Sequence, residues 1–364
     1  MKTLAIETSC DDTSLGIISY DGETFQVDKL IAYSQIKEHQ PFGGVLPEIA
    51  SRLHSEKIIR LLQEIGFEEI EKVDFISVTA HPGLPGSLVV GKSTAQLLGA
   101  RFQKPVKEIN HIHGHIFSIL LERKKSDLQL PMVMLTASGG HNDLYLVTKQ
   151  ENSPDRGRGS EAEEGVINTQ TIGEYRIQKI GYTLDDASGE AFDKVSKMLG
   201  GPYPGGPRIS QQALQGKPNP EFHFKRILLP KDQQGNYLFS FSGMKSQVAF
   251  LLDKRKKEGK TLSQQDIADI AYEFQEATIE TLANRLLKAS KEHGTKTIAL
   301  AGGVSANNRL VEYLSQEIET HNQEEYIKEH NEEVAFLYPT KKVYSTDNGA
   351  MIGLVGILTN YFNS

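Results

Sequence analysis

Two histidines four residues apart, His111 and His115, are the residues of this sequence whose types and spacing best suit catalysis. On a helix this spacing places both imidazoles on one face, one turn apart. Such a pair can bind a transition metal, and a carboxylate from a distant segment, here Asp347, can complete the ligand set. Because two histidines and one carboxylate leave coordination positions open to a substrate, the pattern predicts a catalytic metal centre.

The histidine pair also has a simpler interpretation, because histidines at this spacing occur by chance on half-exposed helices. His113 lies between the two and points to the other side of the helix, so we do not expect it among the ligands. A zinc protease of the H-E-x-x-H type needs a glutamate directly after the first histidine as its general base. Ile112 occupies that position, which argues against a peptidase.

The composition predicts a folded protein of two domains. The chain has 364 residues, enough for two ordinary cores, and its 38% hydrophobic content excludes a disordered chain. No apolar run is long enough to span a membrane, and the N-terminus does not resemble a signal peptide. With a single cysteine, Cys10, and therefore no internal disulfide, we expect a cytoplasmic protein. The net charge of −7 means that a nucleic-acid partner would need a local basic patch.

An opening of strand, polar turn and strand occurs twice in the sequence. The first lies at Thr3–Ile6 and Leu15–Ser19, and the second at Met132–Ala137 and Leu144–Thr148. Alternating elements follow, and they are predicted as a strand near Phe25–Ile31, a helix at Ile49–Ile65, a strand at Val73–Ala80, a helix ending at Gly99, a strand at Val106–Ile109, a helix at Ile267–Ser290 and a strand at Thr297–Leu300. This recurrence predicts an α/β protein of two related lobes with a nucleotide cleft between them.

Four glycine-rich turns follow strands or precede helices. They are Ser138-Gly139-Gly140, Pro204-Gly205-Gly206-Pro207, Phe241-Ser242-Gly243 and Gly302-Gly303. Glycine lets backbone amides approach a phosphate and a helix N-terminus adds a favourable dipole, so the set favours a bound nucleotide. Asn307 and Asn308 could bind a ribose or a base, or could cap the helix that follows. The literal P-loop match at Gly86–Ser93 is predicted to be helical, because its variable residues are apolar.

Two acidic pairs and one basic run are further candidates. Asp11 and Asp12 lie in the first polar turn, where the reacting end of a ligand could sit, although both could simply form hydrogen bonds within the turn. Asp185-Asp186 is equally suited to capping a helix. The run Lys254–Lys257 is typical of a solvated helix end and is also a candidate contact for RNA.

Ten motifs, in this order along the chain, closely resemble those of the TsaD (Gcp or YgjD) family. They are Ile6–Thr13, Gly43–Glu48, Pro82-Gly83-Leu84, His111–His115, Ser138–His141, Gly189–Lys194, Tyr203–Pro207, Phe239–Gly243, Ala301–Asn307 and Thr346–Ala350. Together they extend over nearly the whole chain, which makes the resemblance specific.

The resemblance implies the ASKHA fold of actin, sugar kinases and Hsp70. An N-terminal lobe at 1–115 would be completed by a C-terminal helix at 346–364, and a second lobe would occupy 116–345. The implied activity is that of an acyltransferase that moves threonylcarbamoyl from threonylcarbamoyl-AMP to N6 of adenosine 37 in tRNAs reading ANN codons, releasing AMP. The implied partners are tRNA, a TsaB-like paralogue, a TsaE-like ATPase and the synthase that supplies the donor. An ASKHA ATPase or kinase is the alternative, but it leaves the histidine pair unexplained.

The resemblance also implies roles for individual residues. His111, His115 and Asp347 would bind one divalent metal, iron or alternatively zinc. Substrate contacts are implied at Thr136, Ala137, Ser138, Gly139, Gly140, Asp193, Gly206 and Asn307. Asp11 and Asp12 match an acidic pair of the family, and as the catalytic carboxylates they would orient the adenine amine or accept its proton late in the reaction.

Three features depart from the family pattern. Asn152–Gly165 lengthens a connection and is predicted to be a surface insertion within the second lobe. The turn after Gly140 reads His141-Asn142-Asp143 where relatives often have His-Thr-Gln, and the chain ends soon after its final helix. Elsewhere, Gln215–Tyr237 is predicted to be an irregular loop and Gln316–Glu333 a solvated acidic helix face. None of the departures falls on a predicted metal ligand.

Overall fold

The computed structural model describes residues 1–150, 169–324 and 333–361. The predicted insertion Asn152–Gly165 and part of Gln316–Glu333 lie outside these ranges. The chain divides into two compact units. The first comprises Met1–Gln129, Ile172–Glu174 and Tyr338–Ser364, and the second comprises Leu130–Thr171 and Tyr175–Leu337.

The strands of the described residues are β1 (Lys2–Glu7), β2 (Asp12–Tyr20), β3 (Phe25–Ser34), β4 (Phe75–His81), β5 (Val106–Asn110), β6 (Met132–Ala137), β7 (Asn142–Lys149), β8 (Thr169–Ile172), β9 (Tyr175–Thr183), β10 (Tyr237–Phe239), β11 (Thr297–Ala301) and β12 (Ala335–Leu337). The α-helices are α1 (Ile36–His39), α2 (Pro47–Ile65), α3 (Phe67–Glu71), α4 (Pro85–Phe102), α5 (His111–Phe117), α6 (Ser188–Met198), α7 (Gly205–Ala213), α8 (Ser242–Lys257), α9 (Gln264–His293), α10 (Asn308–Asn322) and α11 (Gly349–Tyr361).

The first unit is built on a five-stranded mixed sheet in the order β3-β2-β1-β4-β5. Strand β1 is antiparallel to β2 and parallel to β4, and β4 is parallel to β5. Because side chains alternate along a strand, the sheet has two apolar faces. Leu4 and Ile6 pack with helices α2 and α4, whereas Ala5 and Ile18 lie on the face covered by α11. Strands β1 and β2 are therefore buried on both sides, and α11 lies directly against them.

Close packing at Gly349 fixes where α11 begins. A Cβ atom at this position would lie 2.7 Å from the backbone nitrogen of Gly16, so only glycine lets the helix start so close to β2. The Gly349 amide donates a hydrogen bond of 3.0 Å to the Ser14 hydroxyl. These contacts hold the start of α11 on the sheet, and with it the residue two positions earlier, Asp347.

The second unit repeats the opening of the first. Strand β6 is antiparallel to β7 and parallel to β11, in a sheet whose strands follow the order β10-β9-β7-β6-β11-β12, with β8 paired to β9. The largely buried helix α9 spans 30 residues. It begins at a capping box between Ser263 and Asp266 and ends at Gly294, which adopts the left-handed conformation that favours glycine.

The predicted α/β class with two related lobes is confirmed, since each unit contains its own mixed sheet with the same opening. The first unit extends to Gln129, past the predicted boundary at 115. This is because Phe25 and Arg123 are joined by a backbone hydrogen bond of 3.2 Å, and Leu120 and Leu121 are fully buried. Among the described residues, no helix has the length and apolar character needed to span a membrane.

Candidate active site

The short helix α5 carries both candidate histidines and begins directly after the parallel strand β5. Asn110 ends the strand and caps the helix, since its side-chain oxygen accepts hydrogen bonds from the amides of Ile112 (2.8 Å) and His113 (3.4 Å). His111 is therefore the first helical residue, and His115 follows one turn later on the same face. Both imidazoles are buried.

Three ligand atoms converge in this unit, and they belong to the three residues singled out in the sequence. The Nε2 atoms of His111 and His115 are 3.2 Å apart. The Asp347 Oδ1 atom lies 3.4 Å from Nε2 of His111 and 3.1 Å from Nε2 of His115. Ligands bound to one ion at about 2.1 Å, with angles between octahedral and tetrahedral, are about 3.0–3.4 Å apart. The three residues thus fit a single transition-metal ion.

The Asp347 carboxylate is positioned by its neighbour. Asn348 is fully buried, and its side-chain oxygen accepts a hydrogen bond of 3.1 Å from the amide of Met351, in the first turn of α11. The Asn348 side-chain nitrogen donates one of 2.7 Å to the carbonyl of Thr346. The position of Asp347 therefore depends on the packing of α11 against the sheet. Helix α11 begins more than 200 residues after α5, which carries the two histidines.

Electrostatics favours an ionised aspartate beside the two imidazoles. Burial by itself would raise the pKa of Asp347, but the charges and hydrogen bonds of His111 and His115 outweigh it and hold this pKa well below its usual range. Burial by itself would lower the pKa of His111, but Asp347 and Glu7 raise it well above the ordinary value. The site thus attracts positive charge, which a divalent cation can supply.

A second carboxylate, that of Glu7, orients the His111 ring through its Nδ1 atom. Glu7 is fully buried at the end of β1, and its Oε2 atom lies 3.1 Å from Nδ1 of His111. The same oxygen accepts a hydrogen bond from the Thr79 hydroxyl, and Oε1 accepts one of 2.5 Å from the Ser9 amide. A carboxylate at Nδ1 keeps that nitrogen protonated and leaves Nε2 free to bind a metal. Sequence reasoning missed Glu7, although a carboxylate ending an apolar strand beside a polar turn was a usable signal.

Replacing Glu7 with glutamine is expected to weaken metal binding by about 10- to 100-fold. The amide of glutamine has one acceptor oxygen, whereas Glu7 accepts through both oxygens, so either Ser9 or His111 loses its partner. The dissociation constant for Zn²⁺ or Fe²⁺, measured by competition with a chelator, tests this. Glu108→Gln is a matched control on β5, since Glu108 is exposed and pairs with Lys92. Equal metal affinities of Glu7→Gln and the wild type would contradict the orienting role.

The turn that carries Asp11 and leads into Asp12 is held by a buried histidine of α2. His54 Nε2 donates a hydrogen bond of 3.0 Å to the carbonyl of Cys10, and its Nδ1 accepts one of 2.8 Å from the hydroxyl of Thr13. Sequence reasoning also missed His54, because the contact spans some 40 positions. Asp11 therefore lies in a turn that is tied to α2, and Asp12 follows it as the first residue of β2.

Asp12 differs from an ordinary surface aspartate. Burial raises the pKa of Asp12 to about 7, although a hydrogen bond with Ser34 acts in the opposite direction. The negative charges of Asp11, Asp347 and Glu7 raise the pKa further. Its Oδ1 atom is buried and has no hydrogen-bond partner among the described residues. A carboxyl group that titrates near neutral pH is suited to accept a proton in a reaction at that pH.

The raised pKa of Asp12 predicts a stability effect that depends on pH. Below pH 3.8, the pKa of an unfolded aspartate, the Asp12 carboxyl is neutral in both the folded and the unfolded chain and has no effect on the free energy of unfolding. Between pH 3.8 and about 7 the carboxyl is ionised in the unfolded chain only, so the free energy of unfolding falls as the pH rises through this range. In the metal-free protein, the free energy of unfolding of Asp12→Asn minus that of the wild type should therefore be about 2–4 kcal/mol larger at pH 8 than at pH 3.5. Urea unfolding at both pH values measures this, and an unchanged difference between the two proteins would contradict it.

The predicted substrate contacts Thr136 to Gly140 end strand β6 and form the turn into β7. Thr136 and Ala137 are buried in the strand. The hydroxyl of Ser138 accepts hydrogen bonds from the amides of Gly140 (3.3 Å) and His141 (3.2 Å), which shapes the turn. Nothing lies within 4 Å of the position that a Cβ atom would take at Gly139 or Gly140, so the turn borders open space.

The start of α6 packs closely on this turn. The Gly189 amide donates a hydrogen bond of 3.3 Å to the Ser138 carbonyl, and a Cβ atom at Gly189 would lie 2.8 Å from Cα of Gly139. Gly302, which follows β11, has a φ of 87° and lies against the carbonyl of Ala137. Three of the glycine-containing segments therefore meet at the same edge of the second sheet, and we call them the glycine-turn cluster: residues 136–140, 188–189 and 302–303.

Asp193, Gly206 and Asn307 lie beside the glycine-turn cluster, but two of them already have protein partners. Asp193 accepts hydrogen bonds from the amides of Gly205 (2.5 Å) and Gly206, and thereby caps α7. Burial nevertheless raises the pKa of Asp193. Asn307 caps α10 through the amide of Arg309 (3.0 Å), and its side-chain nitrogen donates to Ser210 (3.2 Å) and to Gln275 (3.0 Å). Gly206, by contrast, faces open space.

Other sequence candidates have structural roles. Asp185 accepts hydrogen bonds from the amides of Phe241 (3.0 Å) and Ser242 (3.3 Å) at the start of α8, so its capping interpretation is correct. Asp186 forms ion pairs with Lys194 and Lys245. The P-loop match lies within α4, which begins at Pro85, so it forms no anion-binding loop.

Comparison with known proteins identifies the family. The sequence matches the family model "TsaD: tRNA N6-adenosine threonylcarbamoyltransferase" over residues 27–171 and 165–354. A protein of that name from Fervidobacterium nodosum is 38% identical over 360 residues, which cover 98% of this chain and 93% of the relative. Another, from Caldicellulosiruptor saccharolyticus, is 39% identical over 363 residues, with coverage of 98% and 92%. This chain belongs to the TsaD family. The resemblance noted in the motifs is thereby confirmed, and with it the assignment as a transferase.

The fold comparison agrees with this assignment. The crystal structure of HypF from T. kodakarensis matches with a TM-score of 0.55 at 13% identity, over 100% of this chain and 48% of the HypF chain. A second HypF structure, in a phosphate- and nucleotide-bound form, matches with a TM-score of 0.54. At such low identity these matches concern the fold alone, and they confirm the predicted ASKHA architecture.

Proposed function

We propose that this protein transfers threonylcarbamoyl from threonylcarbamoyl-AMP to N6 of adenosine 37 in tRNAs reading ANN codons, with release of AMP. The observation that carries the proposal is the convergence of His111, His115 and Asp347 within 3.4 Å of one another, in a chain of the TsaD family. A separate synthase would supply the donor, and a TsaB-like paralogue and a TsaE-like ATPase would act with the protein in the cytoplasm.

His111, His115 and Asp347 would hold one divalent metal, iron or alternatively zinc, since two imidazoles and a carboxylate suit both. When bound, such an ion supplies Lewis acidity toward the oxygens of the threonylcarbamoyl group. Glu7 keeps the Nε2 atom of His111 available as a ligand. Because two imidazoles and one carboxylate would leave coordination positions open to a substrate, the proposed site is catalytic.

The glycine-turn cluster would hold the adenylate part of the donor. The backbone beside Gly139, Gly140 and Gly206 leaves open space that a ligand could fill, and the buried Thr136 and Ala137 fix the position of the turn. Backbone donors that are held rigidly stabilise charge as it develops on a leaving phosphate. Asp193 and Asn307 would shape the site by capping α7 and α10, and could contact the nucleotide through their remaining acceptor capacity.

The chemistry itself asks for positioning more than for a strong base. The adenine N6 atom attacks the carbamoyl carbon, a new C–N bond forms, and the bond from that carbon to the phosphate oxygen of AMP breaks. The exocyclic amine is a weak nucleophile, so orientation should matter more than early deprotonation. Asp12, with a pKa of about 7, would accept the N6 proton late in the step, and Asp11 would help to orient the amine.

Reconstitution tests the proposal. The purified protein, its TsaB-like and TsaE-like partners and the synthase are incubated with tRNA, threonine, bicarbonate and ATP, and the nucleosides are analysed by mass spectrometry. Threonylcarbamoyladenosine is expected only when this protein is present. Strong sugar phosphorylation without partners, and no modified nucleoside, would instead identify an ASKHA kinase.

A further inference from the structure

The solvent-facing side of helix α8 carries an unusual aromatic residue. Phe250 is 71% exposed, although it lies in the middle of a regular helix. The opposite side of α8 is anchored by Met244 and Val248, which are fully buried, and by Arg255, which lies over the ring of Phe222. The helix is therefore held firmly, and the exposure of Phe250 follows from its place opposite the anchored side.

Lysines adjoin Phe250 on the same side of the helix. Residues at i, i+4 and i+7 share a helix face, so Phe250, Lys254 and Lys257 lie in one line. Lys257 forms an ion pair of 2.6 Å with Asp253, whereas Lys254 and Lys256 form none with any residue that the structure describes. Apart from the buried Arg255, residues 250–260 contain four lysines and two acidic side chains, in a chain whose net charge is −7. This is a local basic patch of the kind that an RNA partner requires.

The helix dipole explains the lysines of this surface but not its phenylalanine. Lysines in the last turn of a helix interact favourably with the helix dipole, which would account for Lys254, Lys256 and Lys257. The dipole gives no reason for a phenylalanine at the centre of the exposed face. Lys225 also lies beside this face, because its backbone exchanges hydrogen bonds with the side chain of Gln247, of 2.8 and 3.2 Å. The basic surface thus extends on both sides of Phe250.

We propose that this surface, which we call the α8 surface (Phe250, Lys254 and Lys257), binds tRNA. Phe250 would stack on an unpaired base, and the lysines would contact phosphates on either side of that base. Such contacts position the tRNA and do not read its sequence. The inference rests on the proposed tRNA substrate, but it concerns a surface whose residues take no part in the metal site or the glycine-turn cluster.

The absence of tryptophan from the chain provides a direct test. A Phe250→Trp variant has a single indole, located on the α8 surface, and base stacking quenches indole fluorescence. Titration with tRNA at low salt should quench this fluorescence in a saturable manner, and Phe250→Leu should weaken tRNA binding by about tenfold because it removes the stacking face. If labelled tRNA binds without quenching, or if no quenching occurs at all, the α8 surface is not the binding surface.

The lysines are tested with a matched pair of double variants. In Lys254→Ala/Lys257→Ala, the negative slope of log affinity against log salt should become shallower by about 1–2, as expected for the loss of two phosphate contacts. Lys288→Ala/Lys291→Ala removes the same charge from exposed positions near the end of α9 and should leave the slope unchanged. Equal effects of the two pairs would overturn the proposal. The reconstituted assay distinguishes failure of this inference from failure of the proposed function. If Phe250→Trp forms threonylcarbamoyladenosine but shows no quenching by tRNA, the proposed function stands and the α8 surface is not the tRNA-binding surface.

Discussion

Replacing His111 or His115 with alanine is expected to remove the bound metal and to lower threonylcarbamoyladenosine formation by at least about 100-fold. Each variant deletes one of three atoms that lie 3.1–3.4 Å apart, and two remaining ligands cannot retain an ion as firmly. Metal content is measured by inductively coupled plasma mass spectrometry, and activity by nucleoside analysis of the reconstituted reaction. Asp347→Asn should behave in the same way, since it replaces a charged oxygen with a neutral amide.

The control for these variants lies on the same helix. His113→Ala also removes one imidazole from α5, but this half-buried residue is not among the converging ligands, so metal content and activity should stay near those of wild type. Circular dichroism should show that all the variants are folded. Wild-type rates in His111→Ala or His115→Ala would contradict the proposed site, whatever their metal content.

The second large effect is expected at Gly206. A Cβ atom at this position meets nothing within 4 Å, so Gly206→Val should fold normally, but its side chain would fill space that we assign to the donor. We expect the KM for threonylcarbamoyl-AMP to rise roughly tenfold or more, because the clash arises only with bound ligand. Steady-state kinetics with the purified donor and tRNA gives this value, and Gly206→Ala should show a smaller effect.

Gly44→Val serves as the matched control for Gly206→Val. Gly44 also faces open space and adopts no left-handed conformation, but it belongs to the first unit, whereas the glycine-turn cluster belongs to the second. Thermal unfolding should give similar midpoints for the two variants. If the KM for the donor is the same in Gly206→Val and wild type, the donor does not occupy the space beside Gly206.

Local signals explain why much of the architecture could be predicted from the sequence. The short apolar runs of β1 and β2, the similar runs of β6 and β7, and Gly294 at the end of α9 all act over a few positions. The spacing of His111 and His115 predicts one helix face in the same way. These features depend on neighbouring residues, so they needed no knowledge of the rest of the fold.

The remainder of the site depends on contacts between distant segments. Glu7 reaches His111 across 104 positions, and His54 holds the turn at Cys10 across 44. The role of Asp193 as the cap of α7 could not be predicted either, because it depends on the fold placing the Gly205 amide beside the carboxylate. In each case the residue type alone permits several partners, and only the packing of the sheet selects one.

Anomalous diffraction provides the most direct test of the metal site formed by His111, His115 and Asp347. Crystals of the protein grown with Fe²⁺ or Zn²⁺ would be measured on both sides of the absorption edge of that metal. We expect one strong peak at about 2.0–2.2 Å from Nε2 of His111, Nε2 of His115 and a carboxylate oxygen of Asp347. A peak bound elsewhere, or no peak at these three side chains at saturating metal, would contradict it.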